Sequence, residues 1–87
     1  AASGPSCREV GTRAVEVIRR DAETVIAEEL AKLPADERPA AERALEDRLR
    51  SIGADIERRC TSESWPETVR GCLGRASTTE DANRCVR

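Results

Sequence analysis

The chain has 87 residues, with 15 Lys and Arg against 17 Asp and Glu, a net charge of −2, and 37% charged residues. That length admits one small domain. The balanced charge argues against a nucleic-acid binder, which carries a basic patch, and no apolar run approaches the ~20 residues of a membrane span. Phe, Tyr, Met and His are absent and Trp65 is the only aromatic residue. The core must therefore be made of Ala, Val, Ile and Leu, side chains that bury little area each.

Residues 1–5 read as a flexible lead and 6–87 as a single domain. Ser6-Cys7-Arg8-Glu9 fits a capping box, with the Ser6 hydroxyl accepting from the third backbone N–H and Glu9 reaching back to the cap amide. Ala14, Val17, Ile18, Ala22, Val25, Ile26, Leu30 and Leu33 then recur in steps of three and four. This predicts a first helix over about 7–32, ended by Pro34. Asp36 is placed to cap a second helix that tolerates Pro39 in its first turn. Ala41, Leu45, Leu49, Ile52 and Ile56 carry that helix over 37–60.

Ser64-Trp65-Pro66-Glu67 reads as another capping box, opening a third helix over 65–73 with Gly74 as its stop. Thr78-Thr79-Glu80-Asp81 opens a fourth over 79–87, acids at its positive end. Glu9/Arg13, Glu16/Arg20, Glu46/Arg50 and Asp55/Arg59 place an acid four residues before a base, the favourable order on a solvated helix face.

These elements predict an all-α fold: a long antiparallel helical hairpin capped by two short helices and stapled by disulfides. The first two helices, at about 25 residues each, would extend ~37 Å. The short helices can cover only the end that holds Cys7 and Cys60. The far arm is left with an apolar face made of Val25, Ile26, Leu30, Leu33, Ala41 and Leu45. A two-helix arm is marginal alone. This face is the candidate interaction surface, for a partner protein or for self-association as a homodimer that completes a four-helix bundle.

Cys7, Cys60, Cys72 and Cys85 are an even set in a short chain, which points to two disulfides and an oxidising compartment. The hairpin register sets residue 7 level with residue 60, favouring Cys7–Cys60 with Cys72–Cys85. Cys60–Cys85 with Cys7–Cys72 is the rival. The nearest cysteines have 11 and 12 residues between them and there is no His, unlike zinc ligand pairs, so neither metal nor cofactor is expected. No C-x-x-C supports redox catalysis. The lack of His and Tyr, and carboxylates set on exposed faces, point away from an enzyme.

Three further features have structural readings. Trp65 is expected to plug the end of the bundle, its indole N–H on a carbonyl. Gly53, inside a helix, is explained by close approach of another helix or by drift. Glu28-Glu29 and Asp36-Glu37 near the turn read as solvated helix termini.

The stretch from Cys60 through Trp65 to Cys72, followed by Thr78, Glu80, Asp81 and Cys85, resembles small secreted or periplasmic helical proteins of myxobacteria and their relatives. The resemblance covers about 28 residues. It implies export and a disulfide scaffold, with no functional residue to carry over. A looser likeness, of architecture only, is to periplasmic helical-hairpin stress adaptors, whose L-T-x-x-Q signature is absent. The expected function is thus a non-catalytic secreted or periplasmic interaction module acting through the hairpin face. The alternatives are a small-ligand or metal-binding periplasmic sensor or carrier, and a structural domain of a larger envelope protein.

Overall fold

The computed structural model describes residues 4–86. Its helices are α1 (Cys7–Asp21), α2 (Glu23–Ala31), α3 (Arg38–Ser62), α4 (Glu67–Arg75) and α5 (Thr79–Cys85). The described residues contain no strand. Helices α1 and α2 run out along one leg of the hairpin and α3 returns along the other, while α4 and α5 fold back onto α1. The molecule is 50 Å long and about 20 Å across, with a radius of gyration of 14.9 Å. A compact chain of this length would have a radius of about 12 Å. The elongation is that of the expected hairpin.

Both disulfides are formed, Cys7–Cys60 and Cys72–Cys85, with Cα separations of 5.5 and 5.7 Å. The first ties the open end of the hairpin across 53 residues of sequence and the second clips α5 to α4. In a chain-entropy picture these loops contribute about 4 and 3 kcal/mol respectively by restricting the unfolded chain.

The core lies entirely at this stapled end. Val10, Val17, Leu49, Cys60, Leu73 and Ala76 are its buried members. No residue of α2 is buried, and none of α3 before Leu49. Two glycines set the spacing of the main legs. A Cβ on Gly11 would stand 2.5 Å from the carbonyl oxygen of Gly53. One on Gly53 would stand 2.8 Å from a Val15 methyl and 3.3 Å from the Gly11 carbonyl oxygen. The two backbones therefore touch, which explains Gly53 by close approach of a helix.

The boundaries depart from the sequence reading in informative places. The first helix bends at Ala22 (φ −94°, ψ 1°) rather than running on to residue 32. Hydrogen bonds from Ala22 N–H to the Ile18 carbonyl and from Ile26 N–H to the Ala22 carbonyl continue across the bend. It falls where buried packing ends and where the Asp21 carboxylate accepts from the Thr79 backbone N–H at 2.6 Å. Neither Pro nor Gly marks it.

Caps differ as well. Ser6 accepts from the Glu9 amide as expected, and Thr78 from that of Asp81. Asp36 does not cap α3, whose N-cap is Glu37 with no side-chain bond. The turn is held instead by Arg38, whose guanidinium donates to the carbonyls of Leu30, Ala31 and Leu33 at 3.1–3.3 Å. Ser64 opens no capping box. It sits at φ 50° between α3 and α4, and Pro66 is the N-cap of α4.

Gly74 does not stop α4, which runs on to Arg75. Its missing side chain makes room for Pro5, 3.2 Å from where a Cβ would lie. The Pro5 carbonyl also accepts from Arg70 at 2.8 Å. Gly4 and Pro5, read as part of the flexible lead, are thus seated on α4, while residues 1–3 of that lead lie outside the described residues. Helix α5 ends at Cys85, and Arg87, the last residue of the expected fourth helix, lies outside the described residues too.

The glycine contact yields a pair of opposed outcomes. Gly11→Ala gains helix propensity but must push α3 away, and the overpacking should leave the protein less stable by about 1–3 kcal/mol. Gly71→Ala meets only the movable end of Arg75, so its propensity gain, up to ~1 kcal/mol, should remain. Thermal or denaturant unfolding of the two variants under oxidising conditions checks this.

Candidate functional site

Beyond Val17 and Leu49 the hairpin carries apolar side chains that the fold does not cover. Ile26 and Leu30 on α2 and Leu45 on α3 form a half-buried seam between the two legs. On one side of the seam lies a shallow groove of about 300 Å³, lined also by Val25, Leu33, Ala41 and Glu29. Val25 is 59% exposed. The structure thus brings all six of Val25, Ile26, Leu30, Leu33, Ala41 and Leu45 onto one surface. On the other side a longer groove runs past Glu23, Ala27, Glu42 and Glu46 toward Glu16, Arg19 and Arg20.

The spacing of the apolar residues produces this surface directly. Steps of three and four put each set on one stripe of its helix, and the turn brings the stripes together. At the stapled end α4 and α5 pack onto α1; along the arm no described element is laid over the stripes. The Arg38 contacts with the last carbonyls of α2 fix the tip, satisfying acceptors that a helix end leaves open. Sequence reading missed this role for Arg38, and its position just after the turn was the only available signal.

At the junction of arm and core, Arg19 and Glu46 make a two-pronged ion pair at 2.5 and 3.0 Å across α1 and α3. The Arg19 hydrogen bond holds the Glu46 carboxyl below its ordinary range, and the same contact raises Arg19. Glu46 thus reaches across to the other leg rather than to Arg50, which pairs with Asp47. Arg13 likewise bonds Glu16 rather than Glu9. Of the expected same-helix pairs, Asp55/Arg59 forms, at 3.5 Å.

Trp65 is half-buried at the opposite end of the molecule. Its indole N–H donates to the Glu63 carboxylate at 3.1 Å, not to a carbonyl. Its backbone is fixed from both sides, the N–H donating to the Cys60 carbonyl and the carbonyl accepting from Arg70. It belongs to the α3–α4 turn. All four cysteines are consumed in disulfides. Among the described residues no group of three or more His, Cys, Asp or Glu is disposed to hold a metal ion. No described helix is long and apolar enough to cross a membrane.

Asp21 ties α5 to the bend between core and arm, and the Thr79 backbone N–H holds its carboxyl below the ordinary range. A carboxyl depressed in the folded state stabilises it above the unfolded value, near ~3.9, and that contribution is lost as pH falls through the lowered folded value. The Thr79 amide proton should accordingly titrate with a midpoint below the usual aspartate range, and Asp21→Asn should abolish the transition. An NMR pH titration that found an ordinary midpoint would contradict the contact. In comparison with known proteins, no family model, no curated protein and no solved structure matches the chain.

Proposed function

We propose that the protein is a non-catalytic interaction module of a secreted or periplasmic setting, working through the apolar face of its hairpin arm. The observation that carries this reading is the division of the molecule into two ends. The stapled end holds every buried apolar side chain among the described residues, and the arm presents Val25, Ile26, Leu30, Leu33, Ala41 and Leu45 without a roof. An apolar strip left open on a small protein is characteristic of an interaction site. Two disulfides within so short a chain are at home in an oxidising compartment.

Stability and binding should separate cleanly in such a molecule. Val25→Ser removes apolar surface that is already largely in water, and Leu30→Ser adds the loss of a half-buried side chain from the seam. The double variant should remain folded, at a cost of about 1–2 kcal/mol. Leu49→Ala, in the core, should cost about 2–5 kcal/mol. A photo-crosslinker placed at position 25 or 30 of the exported protein should give a discrete protein adduct that the double variant, with the crosslinker moved to exposed position 29, lacks. A crosslinker at exposed Arg58 should give none. Equal adducts from the arm and from position 58, or none from the arm, would overturn the reading.

A further inference from the structure

The cations of the arm are engaged within it, and most of its carboxylates are not. Residues 22–46 contain seven acids and three bases, whereas the rest of the chain contains ten acids and twelve bases. Lys32 is paired with Glu29 at 3.1 Å. Arg38 is spread over the carbonyls that end α2, and Arg43 reaches the Pro39 carbonyl. Glu23, Glu28, Asp36, Glu37 and Glu42 have no ion-pair partner among the described residues. Glu23 and Glu42 line one side of the Ile26–Leu30–Leu45 seam, and Glu29 the other. The open strip is therefore apolar along its floor and acidic overall, with unpaired Glu23 and Glu42 on one edge, where Arg20 also stands, and Glu29 paired with Lys32 on the other.

This pattern discriminates among occupants. A second copy laid arm to arm would face two segments that each carry seven acids and three bases, an arrangement that interfaces avoid because like charges facing each other are costly. A head-to-tail copy would bring the basic end to the arm, but that end has turned Val10, Val17, Leu49 and Leu73 inward, and its half-buried pair Ile52 and Ile56, set among Arg48, Asp55 and Arg58, is shorter than the six-residue strip of the arm. An anionic bilayer would be repelled. A basic amphipathic helix answers both features at once.

Resting on the reading of the arm as a protein-interaction surface, we infer that its occupant is a helical segment of another protein. That segment carries apolar residues at i, i+3 or i+4, and i+7 to lie on the seam, with Lys or Arg flanking them to meet the free carboxylates, in the manner of helix-in-groove recognition.

The test uses the whole disulfide-bonded chain, labelled at its Val, Ile and Leu methyls. Three synthetic helical peptides of about 18 residues, or five turns, share one Leu/Ile strip and differ only in flanking Lys, Gln or Glu. Chemical-shift changes should centre on Val25, Ile26, Leu30 and Leu45. At low salt the Lys peptide should bind about tenfold or more tighter than the Gln peptide, and the Glu peptide most weakly, with the differences shrinking as salt screens the rim. Glu23→Lys with Glu28→Lys and Glu42→Lys should invert the order without lowering the unfolding temperature.

Equal binding of the three peptides at the arm would overturn the charge inference and leave the arm reading standing. Arm methyls unmoved by all three would overturn both. Sedimentation showing a dimer, abolished by Leu30→Ser, would overturn the inference by making a second copy the occupant.

Discussion

At Gly11 and Gly53 the main chains of α1 and α3 lie so close that neither position has room for a Cβ. The rest of the stapled end depends on that approach. A core made of valine, leucine, alanine and cysteine has no large ring to bridge a gap, and a gap forfeits dispersion contacts on both its walls. Drawn together at the glycines, the two legs bury Val10, Val17 and Leu49, with α4 and α5 packed onto α1. The same approach lets Cys7 and Cys60 meet one to two turns away. The disulfide and the glycine contact are thus two fasteners on one joint: one restricts the unfolded chain, the other sets the distance between folded helices.

The arm is the other side of this economy. With α4 and α5 both committed to the stapled end, no other described helix covers α2 and the first half of α3. The bend at Ala22 marks the change of regime: before it α1 is packed, beyond it no side chain of α2 is buried. What holds the arm is local: the half-buried Ile26–Leu30–Leu45 seam, the Arg38 clasp on the α2 carbonyls and the Arg19–Glu46 pair at the junction. Exposed ion pairs contribute little and the seam is only half-buried, so the arm is held in place by continuity with the core more than by contacts of its own. Such a device keeps an apolar strip presented in water on a rigid base.

Much of this was legible in the sequence because it rests on periodicity and on covalent logic. Steps of three and four named the helices and the stripe on each. The hairpin register aligned Cys7 with Cys60 and left Cys72 for Cys85, and the six arm residues followed from the mismatch in helix lengths. The features that escaped depend on tertiary contacts without a local signature. Ala22 is a strong helix former, and nothing around it announces a bend that coincides with the end of packing and the pull of Thr79 on Asp21. Gly74 has the composition of a helix stop but serves as clearance for Pro5. Ser64 has the spacing of a cap but takes a left-handed turn at φ 50°, a conformation disfavoured for a residue with a Cβ. Arg38 was hidden because a guanidinium reaching back across a turn has no fixed sequence spacing. The acidic bias of the arm was visible as two acidic pairs; that Lys32, Arg38 and Arg43 are engaged within the arm depends on side-chain geometry that the sequence does not carry.

The central claim is that stability is concentrated at the Gly11–Gly53 joint and falls away along the arm. Native-state hydrogen exchange, residue by residue along the single continuous helix α3, addresses it most directly. The account predicts that amides around Gly53 to Cys60 exchange only through global unfolding. Those around Ala41 to Leu45 should exchange through local opening at a much smaller free energy, as expected where few apolar contacts are buried. Uniform protection from Ala41 to Cys60 would contradict it, because the arm would then be as firmly held as the core.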